Sequence, residues 1–196
     1  KLSNTRKSPA DYPPPAQAQL NGELACCAGS SGPGHVHLIN GLYDAQRSGA
    51  PVLAIASTLP THEFGTEYFQ ETNTIKLFED CSYYNQVATT PEQFPRMLQG
   101  AIQAALSFLG VGVIGLPGDL TSKTATSGES SQQPFPTKQR VCPSAEEIDA
   151  LADLLNKAEK VTIFCGIGAK DAHKELVELS LRLNAPVAYS FKSKME

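Results

Sequence analysis

The residues best placed to do chemistry are a run of small side chains, Gly29-Ser30-Ser31-Gly32-Pro33-Gly34, set directly ahead of the segment His35 to Arg47. An apolar stretch, Leu24 to Ala28, leads into this run, and Pro33 opens a helical pattern behind it. Open α/β sheets hold ligands at such strand-to-helix turns, in the crevice beyond the carboxyl ends of the strands. Small residues allow close backbone approach, and a new helix offers N–H groups that lack intrahelical partners. A second string, Tyr68-Phe69-Gln70-Glu71-Thr72, lies in a polar and aromatic stretch from Ser57 to Asn73. Connections of that length are usually functional or mobile. Together the two strings read as one half of an active site. A third candidate, Gly166-Ile167-Gly168, follows the apolar run Val161 to Cys165 and suits a flavin or nucleotide phosphate contact. Its spacing to Asp171 lacks the third glycine or alanine of the dinucleotide fingerprint.

Other chemistries fail on spacing. Neither Ser30 nor Ser31 has glycine both two before and two after it, so the turn is not a nucleophile elbow. His35 and His37 diverge on a helix and read as surface or interface histidines rather than metal ligands. The 5 cysteines include no CxxC pair, which argues against a zinc ribbon or a thioredoxin-type site. They read as reduced thiols of a cytosolic protein, with Cys26 and Cys27 packing as small apolar groups. A net charge of −4 argues against an electrostatic nucleic-acid binder. No apolar run approaches the ~20 residues that span a bilayer.

The elements that must position these strings are legible from periodicity. Ala16 to Leu20 reads as the last turn of a helix stopped by Asn21-Gly22. One helix is expected from about Pro33 to Gln46, with proline at its first turn. Val52 to Ala56 and Val111 to Leu116 are continuous apolar runs, as in parallel strands buried on both faces. Tyr83 to Val87 makes a shorter strand. Between it and Val111 lies a helix from Pro91 to Leu109, with Thr90 as N-cap. After a Ser-, Thr-, Gln- and Pro-rich stretch the rhythm restarts. A helix runs from Ser144 to Lys157, with Glu147 at the capping-box position. A strand at Val161 to Cys165, a helix from Ala169 to Leu183 and a strand at Pro186 to Tyr189 follow. The fold class is α/β, a doubly wound parallel-sheet domain (incomplete) followed by the start of a second α/β domain. The expected division is an atypical Pro-rich segment at 1–15, a first domain at 16–120, a linker at 121–141 and part of a central domain at 142–196.

Six ordered motifs carry a family resemblance. They are Gln19 to Ala25, Gly29 to Gly34, Leu38 to Ala45, Pro51 to Ile55, Tyr68 to Glu71 and Leu116 to Asp119. Taken together they resemble the thiamine-diphosphate-dependent enzymes, most closely the pyruvate oxidase and pyruvate:quinone oxidoreductase branch. The resemblance implies a pyrimidine-binding domain over residues 16 to about 120, then the start of an FAD-carrying central domain. A third, diphosphate-binding domain would hold Mg²⁺ and the cofactor's diphosphate; its Gly-Asp-Gly signature does not occur here, Gly118-Asp119-Leu120 being the nearest string. The resemblance places Phe69 near the bound intermediate and flavin, and gives the Gln70 amide to substrate. It sets Gly32, Pro33, Gly34 and Asn40 at the pyrimidine end of the cofactor pocket, and Gly166 and Gly168 against FAD.

The implied reaction is oxidative decarboxylation of pyruvate or a related 2-keto acid, with quinone or oxygen as electron acceptor. The parent enzyme is expected as a cytoplasmic homo-oligomer, a dimer or tetramer, peripheral to the membrane where a quinone is reduced. The other readings are an acetolactate synthase or 2-keto acid decarboxylase relative, or a non-catalytic interaction remnant. The family's ylide-generating glutamate would fall around Lys7, yet no glutamate precedes Glu23. Pro13 to Pro15 are expected to break the helix that should carry it. Lys1 to Pro15 therefore reads as sequence foreign to the family, and the isolated chain is expected to lack decarboxylase activity.

Overall fold

A computed structural model describes residues 13–124 and 141–194. The chain divides into two compact units, one within residues 1–138 and one within 139–196. The expected position of the glutamate near Lys7, and most of the expected linker, lie outside the described residues.

In the first unit, helix α1 (Pro13–Asn21) leads to strand β1 (Ala25–Gly29), then to the short helix α2 (Pro33–Val36) and to α3 (Ile39–Ser48). Strand β2 (Val52–Thr58), helix α4 (Thr74–Phe78), strand β3 (Tyr84–Val87), helix α5 (Phe94–Phe108) and strand β4 (Val111–Pro117) complete it. The four strands form one parallel sheet in the order β1-β2-β4-β3. Side chains alternate across a strand, so the apolar run of β2 serves both faces. Val52, Ala54 and Ala56 join Leu42, Ala45, Phe78, Val111 and Val113 in one core. Leu53 turns to the opposite face and packs with Ala101 and Ile114, beside Leu98 and Ile102 of α5. Burial on both faces is why β2 and β4 read as unbroken apolar runs rather than as alternating ones.

Helix α1 begins at Pro13, where a missing N–H costs nothing, and the stretch around Lys7 expected to carry the glutamate lies outside the described residues. Two expectations about helices change. The single helix expected from Pro33 to Gln46 is two, interrupted at His37 and Leu38. His35, Leu38 and Leu42 are all buried on the side facing the sheet. Helix α5 starts at Phe94, and Thr90 is not its cap. The turn before it is closed by Gln93 instead, whose Oε1 accepts from the Thr89 N–H at 3.2 Å and the Thr89 hydroxyl at 2.9 Å.

The second unit contains α6 (Ala145–Lys157), β5 (Ile163–Cys165), α7 (His173–Leu183) and β6 (Val187–Tyr189). Strands β5 and β6 pair in parallel. Ser144 and Glu147 form a reciprocal capping box at the start of α6. Helix α7 starts four residues later than expected, because Ile167–Ala169 form a separate single turn of 3₁₀ helix.

Candidate functional site

The loop from Thr58 to Thr74 brings the first two strings together at the carboxyl ends of the sheet. Gln70 lies directly on Gly32: a Cβ placed on Gly32 would come within 2.6 Å of the Gln70 Cβ. Both residues have left-handed backbone, with φ of 65° at Gly32 and 67° at Gln70. Glycine adopts that conformation freely, but for glutamine it is a sparsely populated state that its surroundings must hold. The other glycines of the turn are spoken for as well. A Cβ on Gly29 would meet the Gly34 carbonyl, and one on Gly34 would meet the Ser30 side chain. The turn's small residues therefore serve close packing of the loop on itself and on Gln70.

The free space lies beside Gln70. A cavity of about 340 Å³ is lined by Thr58, Leu59, Phe64, Gln70, Thr72 and Val87, among others. Its walls are mainly hydrocarbon, with Gln70, Glu71, Asn73 and the threonines as its polar residues. Thr74, which also lines it, buries a hydroxyl that has no hydrogen-bond partner among the described residues. Phe69 is 77% exposed. Pro33 and Asn40 are exposed too, on α2 and α3. Of the first-unit candidates, the structure brings Gly32 and Gln70 into contact; Phe69 adjoins them in the chain, and Asn40 is not joined to them.

His35 is fully buried, against its reading as a surface or interface histidine. Its Nδ1 lies 2.8 Å from the Ser57 carbonyl oxygen and its Nε2 lies 2.6 Å from the Thr72 hydroxyl. A carbonyl only accepts, so Nδ1 carries the proton and Nε2 accepts from Thr72. The ring edge also packs on Phe78, with centroids 5.7 Å apart. Burial pushes the imidazole below its ordinary pKa, opposed by the bond to Ser57. Nothing in the local sequence distinguishes His35 from His37, which is exposed; the inward turn depends on a partner 37 residues away.

Asp119, which closes the Leu116 to Asp119 motif, pins the start of the loop at Thr61. Its carboxylate accepts from the Thr61 N–H and hydroxyl, both at 2.9 Å, and pairs with Lys123 at 3.2 Å. The backbone bond from Thr61 is the largest influence holding its pKa down to about 2. Within the loop, the Glu71 carboxylate accepts from the Gly65 N–H at 2.6 Å.

In the second unit, Gly166 and Gly168 are exposed and would admit a Cβ without contact within 4 Å. Neither has a positive φ. Packing and backbone conformation therefore give no reason for glycine at either position, whereas close approach of a ligand to the backbone would. Among the described residues no group of three or more His, Cys, Asp or Glu side chains could hold a metal ion. No helix among them is long and apolar enough to cross a membrane.

A parallel α/β sheet with its candidate site at the strand carboxyl ends defines a ligand-binding domain of the doubly wound class. Residues 15–77 match the N-terminal TPP binding domain of thiamine pyrophosphate enzymes, and residues 148–195 match the central domain of the same enzymes. The chain belongs to the thiamine pyrophosphate enzyme family. It is 46% identical over 180 residues to an uncharacterized 42.6 kDa protein from the isoamylase 3′ region of Pseudomonas amyloderamosa, covering 91% of this chain and 46% of that one. It is 34% identical over 181 residues to pyruvate oxidase of Lactiplantibacillus plantarum, covering 91% of this chain and 30% of the oxidase. An acetolactate synthase of Arthrospira platensis is 28% identical over 185 residues, covering 90% of this chain and 32% of the synthase. The chain thus spans less than half the length of each of these relatives.

Proposed function

We propose that this chain contributes the pyrimidine-binding face, and the opening of the flavin-binding domain, to a thiamine diphosphate- and FAD-dependent enzyme. The enzyme oxidatively decarboxylates pyruvate or a related 2-keto acid, with a quinone or oxygen as electron acceptor. The observation that carries this reading is Gln70, packed through its Cα and Cβ on Gly32 at the carboxyl end of the sheet and lining a cavity of about 340 Å³.

The cavity's residues fit the cofactor's pyrimidine end. Leu59, Ile75 and Val87 offer apolar walls for an uncharged ring, and Thr58 and Thr89 offer hydroxyls at its edge. The amide of Gln70 both donates and accepts, which suits a keto acid whose carboxylate is the part that leaves. The exposed ring of Phe69 is available to exclude water from the reacting carbon. Thiamine diphosphate, when bound, supplies a carbanion for attack on the keto carbon and a sink for the electrons left when CO₂ departs. Gly166 and Gly168 leave the backbone open to a flavin phosphate. Mg²⁺ and the diphosphate would be held by residues outside this chain, in a cytoplasmic homo-oligomer, membrane-peripheral if its acceptor is a quinone.

The oxidase branch is favoured over acetolactate synthase by the 34% identity to pyruvate oxidase against 28% to the synthase, and by the Tyr68 to Thr72 string. The test measures CO₂ release from pyruvate with thiamine diphosphate and Mg²⁺. The 196-residue chain alone is expected to release none. Supplemented with a diphosphate-binding domain of the family, it is expected to release CO₂ and to reduce a quinone or consume oxygen. Acetolactate as the product would move the assignment to the synthases. Release by the chain alone would overturn the expectation that it is inactive by itself.

A further inference from the structure

We propose that His35 is a positioning residue that fastens the Tyr68–Asn73 segment to the end of β2 and so holds the Gln70 amide at the cavity wall. The inference rests on Gln70 being a site residue, as proposed above. His35 touches three parts of the molecule at once: it stands in α2, one ring nitrogen binds the last part of β2 at Ser57, and the other binds Thr72. A buried imidazole is tolerable only when both nitrogens are partnered, and here both are.

The segment's other bonds do not do this job. Glu71 N–H donates to the Tyr68 carbonyl at 2.8 Å, and the Glu71 carboxylate accepts from Gly65, so both close the loop on itself. Asn73 at the segment's end is tied to α4, its Oδ1 accepting from the Lys76 N–H at 3.0 Å, and Asn85 of β3 donates to the Ile75 carbonyl at 2.7 Å; neither bond reaches β2. Between these points Gln70 is kept in a left-handed conformation that a glutamine does not choose. Contact with Gly32 blocks it on one side, and the His35–Thr72 bond secures the chain two residues further on. There is a chemical consequence for the cavity. Because the Thr72 hydroxyl spends its hydrogen on Nε2, it can only accept from whatever the cavity holds, so a ligand must bring a donor to that point.

The test uses amide hydrogen exchange and imidazole nitrogen spectra on the 196-residue chain without ligand. Thr72→Val keeps the shape and removes the hydroxyl, whereas Thr72→Ser keeps the hydroxyl. In Thr72→Val, exchange at Gly65 and Glu71 is expected to rise about tenfold, equivalent to about 1.4 kcal/mol, with Ala54 and Val113 in the sheet unchanged. Thr72→Ser is expected to restore the wild-type rates. The His35 spectrum is expected to show the neutral ring with its proton on Nδ1, and its Nε2 signal is expected to move in Thr72→Val. Unchanged exchange in Thr72→Val, equal acceleration in both variants, or a proton on Nε2 would each overturn the proposal. No cofactor enters this experiment, so its failure is distinct from failure of the cofactor reading, which the CO₂ assay decides.

Discussion

Phe78 closes the five-residue α4 of the first unit, and Leu154 lies on the 13-residue amphipathic α6 of the second. Phe78 is fully buried, whereas Leu154 is 67% exposed. The contrast extends to whole elements. Strand β4 is buried along nearly all its length, while α6 and α7 contain no buried residue. The first unit has a four-stranded sheet with helices on both faces; the second has two strands of three residues each. Helix formation in α6 draws on its capping box and i,i+4 pairs such as Lys157–Asp153, which are local. Burial needs a second layer, and two short strands supply little of one. Amphipathic patterning thus predicts elements in both units but core membership in only one.

The largest effect expected from this contrast is on stability. Phe78→Ala should destabilise the first unit by about 3–5 kcal/mol, the usual cost of emptying a buried aromatic site. Leu154→Ala should change the second unit by less than about 0.5 kcal/mol, as exposed substitutions do. Chemical denaturation followed separately by resonances of each unit measures both. Comparable losses at the two positions would show that α6 is covered in solution, and would end the contrast.

Acid should act on the first unit in two stages. The folded state holds His35 neutral, with its pKa below the ordinary value, while the unfolded chain takes up the proton near pH 6.5. His35 therefore contributes fully above that value, and stability declines as the pH falls through it toward the lower folded value. Asp119 titrates in the same sense at lower pH. Its contribution is complete above the ordinary aspartate value of 3.8 and is lost as the pH falls toward about 2. The denaturation midpoint of the first unit, measured across pH 7 to 2, is expected to drop in those two windows. Replacing Asp119 with asparagine should remove the lower one.

The smallest effect on stability, and the sharpest separation of ligand binding from folding, is expected at Gly166. A Cβ there meets nothing, so Gly166→Ala should leave the unfolding midpoint of the second unit unchanged within about 0.5 kcal/mol. If FAD approaches this backbone, the same variant should weaken flavin binding by the complemented enzyme, read by flavin fluorescence. Gly112 supplies the opposite case, since a Cβ there would come within 2.4 Å of the Ala101 carbonyl oxygen, where α5 crosses β4.

Much of the fold was legible because its signals are local. The runs Val52 to Ala56 and Val111 to Leu116 announced strands buried on both faces, and Ser144 with Glu147 announced where α6 begins. The errors arose where a distant partner decided. The helix expected across Pro33 to Gln46 is interrupted at His37 and Leu38, and its buried His35 bonds to Ser57 and Thr72. At the site, Gln70 was legible as a residue type in a long loop, but its docking on Gly32 was not. Asp119 was legible as part of a family motif, but its anchoring of Thr61 was not.

The sequence by itself determined the alternation of strand and helix, the parallel sheet and the thiamine pyrophosphate family, because periodicity, caps and ordered motifs reside in neighbouring residues. Only the tertiary structure decided which of two nearby histidines is buried, why Gly32 must be glycine, and which apolar faces find cover. Those outcomes depend on atoms tens of residues apart in the chain, brought within hydrogen-bond and van der Waals reach when the sheet assembles.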